Sequence, residues 1–272
     1  MLSLIVCCRN ESISKELFAN VKDSCECDLE WIIIDNSRND YTIFSAYNEG
    51  VNRSHGDILC FMHDDVLFRS KGWGKIVQTL FCENPQLGLL GVIGSCFLPS
   101  YPAQWGLYNT GIGHVIQGNV VNNHYETFID GRMIAEKWHE AVSVDGLCFF
   151  IKKSMFEDNC FLHFDEQLYR GFHCYDLDIC MQVLASGFKV GVVGGVDIEH
   201  KSIGNANSEY WRNLGIFVNK WKNMLPIERG MDKDDLLKSL NEAIISSEKN
   251  KSFSRRIKES VPYRLYKMMR RK

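Results

Sequence analysis

Apolar runs of strand length recur along the first hundred residues, and a segment of helical spacing follows each of the first three. "LSLIVCC" (2–8) is continuous, rich in β-formers and closed by the polar "RNES". "ISKELFANVKDS" (13–24) sets Ile13, Leu17 and Val21 on one helical face. "LEWIIIDNS" (29–37) is a second buried run, and "YTIFSAYNEGVNRSHG" (41–56) suits a helix that breaks at Gly56. "DILCFMHDD" (57–65) is a third run, and "SKGWGKIVQTLFCENP" (70–85) gives a helix stopped by Pro85. "LGLLGVIGSCF" (87–97) reads as a fourth strand. Strands apolar throughout must be covered on both faces. The alternation therefore predicts an α/β domain with a single Rossmann-like, mostly parallel sheet flanked by helices.

That architecture says where to look for chemistry, because ligands of such sheets gather outside the carboxyl ends of the strands. Three ends carry polar clusters: Arg9-Asn10-Glu11, Asp35-Asn36 and His63-Asp64-Asp65. Adjacent carboxylates in a half-buried segment repel unless a positive charge sits nearby. A divalent ion such as Mn2+ or Mg2+ meets that need, held by one or two carboxylates and substrate phosphates. A turn cap is the plainer role for Asp64 or Asp65.

Further along, 99–143 is rich in Gly, Asn and aromatics and lacks a period. It is expected to form a loop-and-hairpin wall over the sheet. "VSVDGLCFFIKKSMFE" (142–157) restores a strand and a helix start. "FDEQLYRGFHCYDLDICMQVLASGFKVGVV" (164–193) holds a helix from about Asp176 to Ser186, ended at Gly187, then a strand. Asp176 and Asp178, two apart, point to different faces of that helix. One suits a general base at the cleft and the other a cap. In "VDIEHKSIG" (196–204), His200 follows a strand-like run and offers an imidazole that would complete a metal's coordination sphere.

The chain of 272 residues has a formal net charge of −3, which gives no electrostatic footprint for nucleic acid. Its 11 cysteines are odd in number and scattered, and no signal peptide opens the chain, so reduced thiols in a cytoplasmic protein are expected. Cys25 and Cys27 lack a second pair at zinc-site spacing. The longest apolar stretch, 87–98, is too short to span a bilayer. The end of the chain, "KNKSFSRRIKESVPYRLYKMMRRK" (249–272), is basic with interleaved aromatics. Two readings lead, a solvated terminal helix and an amphipathic anchor on the anionic inner face of a cell membrane, with nucleic-acid binding a minor third.

Taken in order, six segments resemble the family 2 glycosyltransferases of the GT-A fold over about residues 2 to 225. They are "SLIVCCRNES", "WIIIDNSRND", "AYNEGVNRSHGDILCFMHDDV", "VDGLCFFIKKSMFE", the acid-rich helix with its following glycine and strand, and "HKSIG". The resemblance implies a GT-A domain over 1–225, with 1–98 binding nucleotide and 99–225 the acceptor, and a helical basic tail over 226–272. It implies nucleotide contacts from Arg9, Asn10, Glu11, Asp35, Asn48, His63 and Asp64, with Asp65 and His200 on the metal. Asp176 would be the catalytic base, and Asp145 and Gly146 would line the acceptor pocket. Two positions depart from the family's pattern: His63 stands at the first Asp of its D-x-D motif, and Tyr175 at the Glu before the base.

The implied activity is metal-dependent inverting transfer of a sugar from a UDP- or dTDP-sugar to a glycan or lipid-linked glycan, in surface polysaccharide synthesis. Among Trp105, Tyr108, Trp138 and Phe149, packing is the ordinary role, and Trp105 alone is offered as an acceptor contact. A sugar-phosphate nucleotidyltransferase or phosphohydrolase would share the sheet and the acids. "CCRNES", however, lacks the glycines expected after a nucleotidyltransferase's first strand, and no P-loop occurs. A non-catalytic glycan-binding homologue is the other alternative, motivated by His63 and Tyr175.

Overall fold

The structure, a computed structural model, describes residues 1–104, 109–121, 124–157, 162–202 and 206–249. The chain opens with β1 (Leu2–Cys8), α1 (Lys15–Ser24), β2 (Leu29–Asp35), α2 (Ile43–Arg53), β3 (Ile58–Met62), β4 (Val66–Phe68) and α3 (Trp73–Glu83). Next come β5 (Leu87–Gly91), β6 (Ile93–Ser95), β7 (Phe97–Leu98), β8 (Gly111–Val121), β9 (His124–Arg132), β10 (Trp138–Ala141), β11 (Ser143–Val144) and β12 (Cys148–Lys152). The chain closes with α4 (Tyr175–Ala185), β13 (Lys189–Val193), β14 (Ile198–His200), α5 (Ser208–Lys220), β15 (Ile227–Glu228) and α6 (Lys233–Lys249).

Side chains of β1 alternate between two cores. Ile5 enters the one with Phe44 and Tyr47 of α2; Leu4 and Val6 enter the one with Leu17 of α1 and Trp73 of α3. That two-sided burial is why the strands are apolar at every position. The large sheet runs β10-β13-β5-β12-β3-β1-β2. β1 is parallel to β2 and β3, and β5 to β13, while β12 and β10 run against their neighbours.

The reversal of β12 matters for the site. Cys148 opens β12 opposite Met62, the last residue of β3. Asp145-Gly146-Leu147 therefore arrive at the same edge at which β1, β2 and β3 end, and the His63 amide donates to the Leu147 carbonyl (3.0 Å).

The run 87–97 is three short strands in three sheets, not one. β5 lies in the large sheet, β6 in a second sheet ordered β11-β6-β8-β14-β4, and β7 pairs with β15. Glycine permits the crossing: a Cβ at Gly94 would lie 2.1 Å from the Ser143 carbonyl oxygen of β11. The expected hairpin is present as β8 and β9, antiparallel from Gly113↔Arg132 to Val121↔His124.

After residue 226 the chain stays laced to the body, since β15 pairs with β7 and α6 buries Leu236 and Leu240 against Phe97 and Ala103. The most basic stretch, 250–272, lies outside the described residues, as does Trp105. Phe149 is core, as expected of an aromatic at that spacing. Among the described residues no helix is long and apolar enough to cross a membrane.

Candidate active site

The tips of β1, β2 and β3 sit level with one another, Cys8 opposite Asp35 and Val6 opposite Met62. Beyond them opens a cavity of about 1260 Å³. Its floor carries Arg9, Asn36 and His63-Asp64-Asp65, and one wall carries Asp145-Gly146 with Tyr175-Asp176. His200 and Ser202 close it beside the β8–β9 hairpin. The Cys7 and Cys8 thiols, at the end of β1, are pushed up by burial to about 11 and about 12, so neither is a thiolate nucleophile at neutral pH.

Within this cavity His63, Asp65 and His200 bring one donor atom each within 4.8 Å of one another. Asp65 Oδ1 lies 3.4 Å from His200 Nε2, and the Ser202 hydroxyl donates to Asp65 Oδ2 (2.7 Å). Burial alone would raise the Asp65 carboxyl, but these contacts outweigh it and hold it well below the usual range. The His63 ring is held below its ordinary value by burial and by neighbouring His200, so it is neutral near pH 7. Two imidazoles and an ionised carboxylate are a donor set that suits a divalent transition ion.

The sequence reading gave His63 to the nucleotide. In the fold it lines the cavity and also stands in the candidate metal-binding group, because the β3 tip turns its ring toward β14: Nδ1 lies 3.4 Å from His200 Nε2 and Nε2 lies 2.9 Å from the Tyr175 hydroxyl.

Asp64 is engaged by Arg9. The guanidinium Nε and Nη2 donate to Asp64 Oδ1 (3.0 and 2.6 Å), and the Arg9 amide donates to Oδ2 (2.9 Å). The same Nη2 lies 3.1 Å from Asp65 Oδ2. The positive charge that adjacent carboxylates require is thus partly supplied from within the chain.

Asp176 sits in the first turn of α4, after Cys174 at φ +68° turns the chain sharply. Its Oδ2 accepts the Gly146 amide (3.0 Å) and its Oδ1 the Leu177 amide (2.9 Å). Burial, then the charge of Asp145, push its carboxyl up to about 7, against the pull of those two amides. A carboxylate with that value is matched to proton transfer near neutrality. Asp178 is the partner that does not face the cleft. It is buried, accepting from Trp221 Nε1 (2.8 Å), Lys220 (2.9 Å) and the Tyr169 hydroxyl (3.0 Å), and it ties α4 to α5.

The remaining residues divide. Asp145 and Gly146 line the cavity beside Asp176. Asn10 and Glu11 are exposed on the loop beyond Arg9, outside the cavity lining. Asp35 is exposed and accepts the Ser37 amide (2.9 Å), which lowers its carboxyl, while Asn36, Ser37 and Asn39 of the same turn face the cavity. Asn48 is not brought to the site. Both ends of its amide pair with the Phe164 backbone (2.8 and 3.0 Å), fastening α2 to the segment before α4.

Sequence reasoning missed Gln117 on β8. Its Oε1 lies 3.3 Å from His200 Nδ1, and its amide nitrogen donates to the carbonyls of His200 (3.1 Å) and Ser202. The signal is the pairing of His200 with Gln117 across β14 and β8, which no local pattern carries.

Residues 3–221 match the family described as "Glycosyltransferase like family". No curated protein matches the chain at a significant level. Among solved structures, GalNAc-T7 with UDP, GalNAc and Mn2+ superposes with a TM-score of 0.53 at 10% identity, covering 89% of this chain. This chain spans 54%, about half, of that protein's length. The 1–349 segment of S. aureus TarS gives 0.53 at 13% identity, over 97% of this chain and 77% of that one. The same segment in complex with UDP-GlcNAc gives 0.51 at 13% identity, over 97% and 78%. At these identities the likeness is one of fold, and it is the GT-A fold.

Proposed function

The chain belongs to the glycosyltransferase-like family and is a glycosyltransferase by that membership, and from that premise we propose that it moves a sugar from a nucleoside diphosphate donor to a hydroxyl of a glycan or lipid-linked glycan, with inversion at the anomeric carbon and with a divalent cation bound. UDP is the first choice of nucleotide, since the GalNAc-T7 and TarS structures carry UDP or UDP-GlcNAc. The observation that carries the reading is that Asp176 and the His63-Asp65-His200 cluster line one cavity. A base for the acceptor hydroxyl and donors for a cation are what a displacement at a sugar-diphosphate bond requires.

His63, Asp65 and His200 would hold Mn2+ or Mg2+, which when bound supplies Lewis-acid stabilisation of the charge on the departing diphosphate. The chain's own residues do the rest. Asp176, fixed by the Gly146 and Leu177 amides, accepts the proton of the attacking hydroxyl on the face away from the leaving group. Arg9 extends along the floor, where its guanidinium can exchange Asp64 for a phosphate oxygen. The turn after β2 offers Asn36, Ser37 and Asn39 to the nucleoside. A glycan built into a surface polysaccharide is the acceptor class proposed.

The test is a screen of UDP-, dTDP- and GDP-sugars with Mn2+ or Mg2+, reading free nucleotide and, with glycan acceptors, the anomeric configuration of the product. Turnover with a UDP-sugar that Asp176→Asn reduces by roughly 10²- to 10⁴-fold supports the assignment. Release of nucleotide from no donor under any cation overturns it. A retained anomeric configuration overturns the single displacement.

A further inference from the structure

Asn109 lines the cavity, and α6 reaches it from behind: Asn109 Nδ2 donates to Glu242 Oε2 at 2.8 Å. Two constraints fix where Asn109 stands. The next residue, Thr110, is buried, with its hydroxyl 2.8 Å from that of Ser95 and its carbonyl accepting the Cys96 amide (3.0 Å). On the other side is α6, whose Leu236 and Leu240 pack against Phe97 and Ala103. Glu242 comes three residues after the buried Ser239, so it flanks that packed face. At Asn109 itself the chain takes φ +55°, the left-handed region that asparagine tolerates better than most residues.

An ionised carboxylate only accepts hydrogen bonds, so the nitrogen of the Asn109 amide must be the atom that faces Glu242. The amide oxygen and the second N–H are left for a ligand. The sheets put that place on the base's side of the cavity. Gly111 pairs with Ser95, and Ser95 with Ser143, two residues before Asp145. Arg9 and Asn36, on the nucleotide floor, follow β1 and β2, at the other end of the strand row. The wall near Asn109 is polar but short of positive charge. Phe128 of β9, 48% exposed, offers a ring face to the cavity, and Asp130 lines it from the same strand. Among the described residues lining the cavity, the arginine and lysine side chains are Arg9 and Arg132, and Arg132 Nη2 already donates to the Gly111 carbonyl (2.9 Å). Amide and carboxylate oxygens beside an exposed ring match the hydroxyls and the C–H face of a sugar. Asp130 and Asp145 repel an anion.

We infer that α6 completes the acceptor site: Glu242 is a positioning residue that aims the Asn109 amide at an acceptor hydroxyl, and the acceptor is a neutral sugar rather than one bearing phosphate or carboxylate. Without Glu242 the amide turns freely, and binding must also order it, at a cost in affinity. The inference rests on the transferase reading for the role of the cavity, and deepens it by naming the class of acceptor and a residue that selects it. Glu242 lies beyond residue 225, where the sequence reading ended the acceptor half, so the C-terminal helix belongs to the site and is more than a tail.

The experiment measures, on the full chain with Mn2+ and UDP present, the affinity of methyl glycosides by saturation-transfer NMR. The neutral probes are the methyl glycosides of glucose, galactose and their 2-acetamido forms; the charged ones are methyl glucuronide and methyl glucoside 6-phosphate. A neutral glycoside should bind more tightly than either charged one. Glu242→Ala and Asn109→Ala should each weaken it by about 3- to 10-fold, the loss of one hydrogen bond. The double variant should lose no more than either single one, since the two residues act as a unit. Glu242→Gln, which keeps an accepting oxygen, should bind as wild type does, and UDP affinity should hold in all four variants. A helix with a merely structural role would weaken UDP in parallel and would not distinguish Gln from Ala. Binding of no neutral glycoside, preference for a charged one, additive losses, or a Glu242→Ala variant that binds as wild type would each overturn the inference. The order of the glycosides is read on the unaltered protein, so it decides even where a variant fails to fold. Nucleotide release from a donor by a protein that binds no neutral glycoside would overturn this inference and leave the transferase reading intact. Glycoside binding that depends on Glu242, in a protein that releases nucleotide from no donor, would do the reverse.

Discussion

Arg9 lays its guanidinium against Asp64, Nη2 to Oδ1 at 2.6 Å, and the same nitrogen reaches Asp65 Oδ2 at 3.1 Å. One cation of the chain thereby competes for the carboxylate that a divalent ion would use. The Arg9 side chain is 66% exposed, so the contact is screened and worth at most about 1 kcal/mol. Arg9→Met should therefore tighten Mn2+ binding to the nucleotide-free protein by roughly two- to fivefold, measured as free Mn2+ by electron paramagnetic resonance. Weaker binding in the variant would mean that Arg9 organises Asp65 rather than competes for it.

Asp65 gives a sharper test through thermal stability. Mn2+ with UDP at about a hundred times the dissociation constant stabilises the folded state by about 2.7 kcal/mol. For a chain of this size that is a rise in Tm of roughly 5–10 °C. Asp65→Ala should abolish the rise. Asp178→Asn is the control: it loosens a buried junction of α4 and α5, so it should lower Tm while leaving the Mn2+–UDP increment in place. An increment that survives in Asp65→Ala removes Asp65 from the site.

These residues differ in how far they could be read without coordinates, and the difference is physical. The acids at 64–65 and at 176 and 178 follow from local pattern, one pair at the end of an apolar run and the other at a helix start, and the family resemblance singles out Asp65 and Asp176 among them. The rule that ligands lie beyond parallel strand tips then brings them together. Which of Asp176 and Asp178 faces the cleft depends on Lys220, the last residue of α5, and Trp221 just after it, more than 40 residues away in sequence. Asn48 was assigned to nucleotide because it sits in a stretch resembling the family's, yet its amide is consumed by Phe164, 116 residues further on. The same holds for the run at 87–97: its composition reads as one strand, and only the crossing of β11 at Gly94 divides it. Gln117 lies in a segment without period, and its place behind His200 exists only once β8 pairs with β14.

Gly146 joins the acceptor wall to the base. A Cβ there would fall 2.2 Å from the Tyr175 hydroxyl oxygen, and the Gly146 amide holds Asp176. Gly146→Ala should destabilise the protein by about 1–3 kcal/mol through overpacking and reduce kcat more than it raises the donor KM, because it displaces the base rather than the nucleotide. Combining it with Tyr175→Leu should recover part of the lost stability, as for residues in contact. Chemical denaturation of the single and double variants reads this out, and strictly additive losses would place the clash elsewhere.

The last prediction concerns pH. Asp176 must be ionised to accept a proton, and burial followed by the charge of Asp145 raises its carboxyl to about 7. Activity should therefore climb as pH rises through that region and level off above it, with kcat/KM reporting the ionisation of the enzyme before the donor binds. Removing a neighbouring negative charge favours the ionised form, so Asp145→Asn should move the rising limb to lower pH, by up to about one unit, equivalent to about 1.4 kcal/mol of interaction between the two carboxylates. The Leu147 amide that Asp145 accepts (3.0 Å) can still be met by the asparagine oxygen, so the loop keeps its bond. Burial is the larger cause and survives the substitution, which is why the limb should stay above an ordinary aspartate's range. A limb that moves to higher pH, or one indifferent to Asp145, would assign the titration to another group. In Asp176→Asn the limb should vanish from whatever residual rate remains, because no carboxyl at that position is left to ionise.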